Sequence, residues 1–377
     1  MSEQTALFFQ EVEQIVDQFP VYGDVKHIQP FGTGHINDTF AITVGQGRAQ
    51  IRYVLQRVNG NVFKNIPALQ ENIARVTDHI REKLKRQHVQ DISGRVLHFL
   101  PAADGRNWVQ DDEGKYWRLC PLIERARVYD VLESASQAEM VARAFGEFQL
   151  QLADLDASLL AETIPEFHHG PGRRQQFIDA LEADEHNRAA SCQPEIDFLT
   201  EHFDVFDVFP AAFADGSLPL RTTHNDTKCN NVMVDEQTGQ SICVLDLDTV
   251  MPGSALYDFG DMVRTATNPA AEDERNLSLV RMDLEYFTAL VRGYVSCAGG
   301  FLNDTERDLL PFSGKLLTLM IGSRFLTDHL RGDTYFRIHR PDHNLDRCRT
   351  QFKLVESIEA QEESMTSVVD SVWARRR

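Results

Sequence analysis

The chain has 377 residues, long for a single core, and its 42% hydrophobic and 25% charged residues suit a folded protein of two lobes. A formal net charge of −19 excludes general nucleic-acid binding, which needs a basic footprint, and disfavours anionic membranes; acidity for solubility accounts for it. Six scattered cysteines, none in C-x-x-C spacing, indicate neither a zinc site nor a redox pair and read as free thiols of a reducing compartment.

The opening "MSEQTALFFQEVEQIV" reads as an amphipathic helix and not as a signal peptide. No run approaches the roughly 18 apolar residues of a membrane span, so a cytoplasmic protein with no membrane and no protein partner is expected. "HIQPFGTGHINDTFAITV" (27–44) predicts strand, glycine-containing turn, strand, and "RYVLQRV" (52–58) a third strand. Over 65–84 the period changes: Ile66, Leu69, Ile73, Val76, Ile80 and Leu84 make one helical face, with Asn65 as cap and Pro67 in the first turn. "RVLHFLPA" (95–102) and "KYWRLCPLI" (115–123) predict two further strands.

From about residue 125 the pattern turns helical, with a capping box from Ser136 to Glu139 and helices over 173–190, 194–206, 280–297, 305–331 and 350–373. An α+β chain follows: a small β-rich lobe (1–119), a hinge at "CPLIERA" (120–126), and a large, mainly helical lobe (127–377) interrupted by one polar hairpin.

That hairpin, "THNDTKCNNVMVDEQTGQSICVLDLDTV" (223–250), is dense in carboxylates and amides. Val232 and Val234 alternate with polar residues, Ile242, Val244, Leu245 and Leu247 lie beyond "DEQTGQ", and Gly239 supplies the positive φ of a tight turn. Folding at about Thr238 brings Asn231 opposite Leu245 and Asp246, with Asp226 just upstream, so three oxygen-bearing side chains converge. Hard divalent cations take such ligands together with phosphate oxygens, and phosphoryl transfer needs both a metal and a carboxylate that orients the attacking hydroxyl.

"HNDTKCNN" followed by "VLDLD" resembles the catalytic loop and metal-binding Asp of the aminoglycoside phosphotransferase/choline kinase superfamily, whose fold is protein-kinase-like and two-lobed. The resemblance spans nearly the whole chain. It implies ATP and Mg²⁺ as cofactors, Asp226 as catalytic base, Asn231 and Asp246 as metal ligands, His224 as a brace of the loop, and "YDFGD" (257–261) as its buried support. Asp248 would hold a second metal or only the loop. Adenine would lie against the segment from Leu119 to Ile123.

More narrowly, "FGTGHINDTF", "LQRVNGNVFKNIPALQENI", "THNDTKCNNVM", "VLDLDTVMPGSALYDFGDMVRTA" and "RFLTDHLRGDTYF" are similar to the anomeric N-acetylhexosamine 1-kinases. This implies phosphorylation of the C1 hydroxyl of N-acetylgalactosamine or N-acetylglucosamine, a small-molecule sugar, with His35, Arg324 and Tyr335 near it. Gly32 and Gly34 would let backbone N–H groups approach phosphate, although Asn37 holds the place of a third glycine. Gln56 stands where a third-strand Lys is expected; Arg57, Lys64 and the helix carboxylate Glu71 are the nearby charges. Lys228, two residues after Asp226, is placed to reach a transferring phosphate. Arg324, Asp328 and Arg331 share one helical face, fit either for ion pairing or for hydrogen bonding a polyol. His168 and His169 read as loop residues. Two alternatives stand beside this reading: another acceptor (an aminoglycoside, homoserine, choline or another sugar), or a catalytically dead nucleotide-binding scaffold.

Overall fold

The computed structural model describes residues 3–32 and 36–376, with side chains from Phe8 onward. Gly34 and His35 therefore lie outside the described residues. The chain forms two compact units. The first is Met1–Arg127 with Ser158–Pro165 and Val234–Met251; the second is Val128–Ala157, Glu166–Met233 and Pro252–Arg377.

In the first unit, α1 (Glu3–Val16) precedes β1 (Asp24–Pro30), β2 (Asp38–Gln46) and β3 (Ala49–Val58); α2 (Ile66–Arg86), β4 (Val109–Gln110) and β5 (Tyr116–Pro121) follow, and β6 (Ala126–Arg127) ends the stretch. The antiparallel sheet has the order β1-β2-β3-β5-β4. Strand alternation sorts its residues. Ile42, Leu55, Trp117 and Leu119 pack with Val12 and Ile15 of α1 into one core. Gln56 and Arg118 alternate with these and face the other way. The predicted stripe of α2, Ile66, Leu69, Ile73, Val76, Ile80 and Leu84, is buried, and Asn65 caps the helix by accepting from the Ala68 amide at 3.2 Å.

The predicted strand at 95–102 does not form. Val96 and Phe99 are buried, but only the Leu100 amide bonds to β5, at the Leu119 carbonyl, and that edge of β5 is then taken by β4. The fully buried amide of Asn72 on α2 donates to the carbonyls of Ala161 (2.7 Å) and Val250 (3.0 Å) and accepts from the Ala161 amide (2.9 Å). This is why the 158–165 and 234–251 segments belong with the N-terminal residues.

The second unit begins with α3 (Ala135–Leu152) and α4 (Gly170–Ala183). Ser134 caps α3 through the Gln137 amide, two residues before the expected box at Ser136, because Ser134 is the last residue with extended backbone. Then come α5 (Gln193–Glu201), α6 (Val208–Ala214) and β7 (Arg221–Thr223); β8 (Val232–Asp235) leads into the hairpin strand β9 (Ser241–Val244), which belongs to the first unit; and β10 (Met251–Gly253), α7 (Ala255–Ala266), α8 (Leu284–Ala298), α9 (Asp304–Asp308), α10 (Leu310–Leu330), α11 (His343–Glu359) and α12 (Glu362–Ala374) follow. The helix expected over 305–331 breaks at Leu309, just before Pro311 in the first turn of α10; that over 350–373 starts earlier and breaks at Ala360–Gln361.

α3 packs on α8, and α10 on α7 and α11. Glycines permit these approaches: a Cβ on Gly293 would collide with the Glu139 carbonyl, one on Gly260 with that of Ser313, and one on Gly322 with the Phe352 ring. All six cysteines are free thiols. Among the described residues no helix is long and apolar enough to cross a membrane.

Candidate active site

The loop after β7 is fixed from its start. Arg221 forms a bidentate pair with the fully buried carboxylate of Glu306, through Nε at 2.6 Å and Nη2 at 2.8 Å. His224 is fully buried, edge-on to Phe145 (5.3 Å) and Phe148 (5.7 Å). Asp258, near the start of α7 and itself fully buried, accepts the main-chain amides of His224 (3.0 Å) and Asn225 (2.6 Å) and the Gln149 amide (2.5 Å). Asp261, one turn on, accepts the Thr227 amide at 3.0 Å and is paired with Arg264. The amides of His224, Asn225 and Thr227 are thus satisfied by carboxylates, and Asn225 is held at φ 67°.

Asp226 emerges from this frame. Its amide donates to His224 Nδ1 at 3.3 Å, and one carboxylate oxygen meets Lys228 Nζ at 2.9 Å. Burial works to raise the Asp226 carboxyl, but Lys228, His224 and Arg264 together outweigh it and hold it below its ordinary value. Reciprocally, Asp226 raises the Lys228 ammonium to about 12. The Asp226 carboxylate is therefore ionised and the Lys228 ammonium charged across the physiological range.

Asn231 turns its Nδ2 toward Asp226, donating to the Asp226 carbonyl at 2.9 Å and a carboxylate oxygen at 3.2 Å. Its amide oxygen consequently faces away from that contact. Asp246 lies in the first unit in a left-handed conformation, φ 52°, at the end of the hairpin. Among the described residues no three His, Cys, Asp or Glu side chains gather as a metal site.

Beside Asn225 lies a cluster of the second unit. His168 Nε2 donates to the Asn225 carbonyl at 3.1 Å, and burial lowers the ring to about 4, so it is neutral. The Arg324 guanidinium sits between the rings of Phe167 (5.3 Å), Tyr335 (5.6 Å) and Phe336 (5.3 Å), with the Tyr335 hydroxyl 3.4 Å from Nη2. Its charge is felt by Asp226, and that of Asp226 by it. Asp328 does not touch this cluster as a ligand would. One carboxylate oxygen accepts the amides of Thr334 and Tyr335, the other those of Phe336 and the Asn344 side chain. Its four acceptor positions are filled, which corrects the expectation that it binds substrate: it shapes the turn that presents Tyr335.

In the first unit a polar network crosses the sheet face opposite α1. The register pairs Thr39 with Gln56 and Gln56 with Arg118. Gln56 donates to Thr39 Oγ1 at 3.1 Å and accepts from Arg118 Nε at 2.9 Å. Arg118 Nη1 then meets Asp248 at 2.5 Å, and the other Asp248 oxygen accepts from Asn37 at 2.6 Å. Arg118 and Asp248 are each only 2% exposed at the side chain. Arg57 points oppositely, to Asp38 and the Trp117 ring, while Lys64 and Glu71 are exposed. A hollow of about 560 Å³, lined by Arg81, Lys85, His98 and Ile123 among others, includes none of Gln56, Arg118, Asp246 or Asp248.

The model of the phosphotransferase enzyme family matches residues 27–289. The chain belongs to this family.

As a whole the phosphotransferase is similar to an aminoglycoside phosphotransferase from Alicyclobacillus acidocaldarius, with 12% identity, 95% of this chain and 96% of that one covered, and a TM-score of 0.62. A choline kinase from Cryptosporidium parvum gives 12% identity, 98% and 99% coverage and a TM-score of 0.55. A spectinomycin phosphotransferase solved with ADP and spectinomycin gives 11%, 94%, 98% and 0.55. At such identities the likeness is one of fold: protein-kinase-like, with a β-rich unit and a helical unit.

Of the predicted site residues, the structure brings His224, Asp226, Lys228 and Asn231 together, and separately Arg324 and Tyr335. Leu119 is fully buried in the α1-side core and its carbonyl is taken by the Leu100 amide, while the Leu122 amide donates to the Arg52 carbonyl at 3.0 Å. Asp248 is engaged at both oxygens, one by Arg118 and the other by Asn37. Arg118 and Arg173 went unread. The signal for Arg118 is a lone Arg on the inward face of an otherwise apolar strand, "YWRLCP".

Proposed function

We propose that this phosphotransferase moves the γ-phosphoryl group of ATP to the C1 hydroxyl of an N-acetylhexosamine, N-acetylgalactosamine or N-acetylglucosamine. The observation that carries it is Asp226, an ionised carboxylate on a loop whose main chain is locked by Asp258 and Asp261. The sugar half of the reading rests on the five segments that resemble the anomeric hexosamine kinases. Asp226 orients the C1 hydroxyl and takes its proton as the oxygen–phosphorus bond forms and the bond to the ADP oxygen breaks. General-base help of this kind is worth about 10²–10⁴-fold. Lys228, beside Asp226, stabilises charge that develops on the phosphoryl oxygens.

By the resemblance, Asn231 and Asp246 would supply an amide oxygen and a carboxylate, donor types that magnesium takes alongside phosphate oxygens. Bound there, the ion would neutralise phosphate charge. On the nucleotide side, Arg118 supplies the buried cation that kinase-like folds carry on the third strand, and Gln56 orients it. The missing third-strand Lys at Gln56 is what favours a dead scaffold, and the buried cation Arg118 beside it speaks for an active kinase.

One phosphorus-coupled NMR spectrum of the product from ATP and either hexosamine tests the reading: a phosphate on the anomeric carbon is expected, and phosphate on any other position refutes it. Asp246→Asn should abolish the magnesium-dependent part of ATP binding in titration calorimetry while leaving any metal-free binding. Equal magnesium dependence in variant and parent removes Asp246 from the metal.

A further inference from the structure

In a chain of net charge −19, arginines normally find carboxylates, and most do here. Arg173 and Arg324 do not. Arg173, in the first turn of α4, donates to the Phe167 carbonyl at 2.8 Å and to Gln176 at 2.9 Å, and its Nε is buried without a hydrogen-bond partner. The ring of that same Phe167 lies under Arg324, whose hydrogen bond among the described residues is to the Tyr335 hydroxyl at 3.4 Å. Neither guanidinium has an ion pair with a carboxylate among the described residues. Next to both, His168 presents a buried Nδ1 with no partner, and its other nitrogen holds the residue before Asp226. Donors and one acceptor thus gather beside Asn225, the residue before Asp226.

We propose that Arg173 and Arg324 form a paired-guanidinium subsite that selects an acceptor carrying a carbonyl or carboxylate oxygen and rejects a cationic one, with Arg173 as the specificity-determining residue. The inference rests on the hexosamine reading and narrows it: the oxygen read is that of an acyl group, and the aminoglycoside and amino-alcohol acceptors are excluded on charge. Two like charges set together without an ion-paired carboxylate repel, and burial withdraws water from them, although Glu166 acts on Arg173 and Asp226 on Arg324 from further off. Burial, then Arg324, lowers the Arg173 guanidinium to about 10, in keeping with that repulsion. An oxygen acceptor relieves both costs through charge-assisted bonds, whereas an ammonium adds a third positive charge.

The test compares three hexoses that differ only at C2 (acetamido, hydroxyl and protonated amino) by ADP release, in the parent and in Arg173→Gln. The parent should prefer acetamido over ammonium by at least about 100-fold in kcat/KM, the scale of losing a charge-assisted bond and gaining a repulsion. Arg173→Gln should cut that ratio at least about tenfold through the acceptor KM, with the KM for ATP and the melting temperature unchanged. A parent that prefers the ammonium, or an Arg173→Gln effect equal on all three sugars, overturns the proposal. If no sugar is turned over, the hexosamine reading fails by itself. Thermal stabilisation is then compared between a hexuronate and choline, and the subsite stands only if the uronate stabilises the parent more than Arg173→Gln. Stabilisation by choline, or by neither, overturns it.

Discussion

Asp226→Asn should lower kcat by about 10²–10⁴-fold while the protein stays folded. The amide keeps the shape of the side chain but cannot accept the proton. Little stability is at stake, because the one ion pair of Asp226 is to Lys228, whose side chain is 46% exposed, and such pairs are worth about 0–1 kcal/mol. Stopped-flow turnover beside a thermal melt checks both halves; undiminished turnover removes Asp226 from the chemistry. The pH profile carries a signed companion. With Asp226 held below its ordinary value, the acid limb of kcat/KM should lie below the usual aspartate range. Lys228→Met deletes the strongest influence lowering Asp226 and leaves burial, which raises it, so the limb should move to higher pH.

Arg118→Met should destabilise the fold by about 3–5 kcal/mol, the cost of leaving one partner of a buried ion pair alone. Asp248, 2% exposed, would keep only the Asn37 amide. Arg118→Met with Asp248→Leu should recover most of the loss, since neither charge is then stranded. Arg118→Lys should fall between, because an ammonium cannot serve Gln56 and Asp248 through a rigid fork. Denaturant midpoints for the three variants decide it. A single variant within about 1 kcal/mol of the parent would mean that Asp248 is not stabilised by Arg118.

What could be read from the residues was what lies close in sequence. The face of α2 was legible because a 3.6-residue period reports burial directly. The loop from His224 to Asn231 was legible because its groups lie within eight residues of one another. The resemblance marked 257–261 as the loop's buried support, but the helical form of α7 was not legible, since Asp258, Asp261 and Arg264 are buried along with the apolar residues and no polar face alternates with an apolar one. Arg118 meets Asp248 across 130 residues, a contact that follows only from strand register. Arg173 meets its neighbours through the placement of α4 and α10, which no local pattern encodes. The segment 95–102 failed for the opposite reason: its apolar run is real and buried, but a strand needs a free edge to pair with, and composition does not record which edges are taken.

The amide of Asn72 reaches positions 89 and 178 residues downstream. A truncation ending at Arg127 would therefore be missing two of the pieces that complete the first unit, leaving a dry polar group with nothing to hold. Expressing that unit alone calls for a permuted gene that splices Ser158–Pro165 and Val234–Met251 back in, and in the living chain it can close only after most of the protein has left the ribosome.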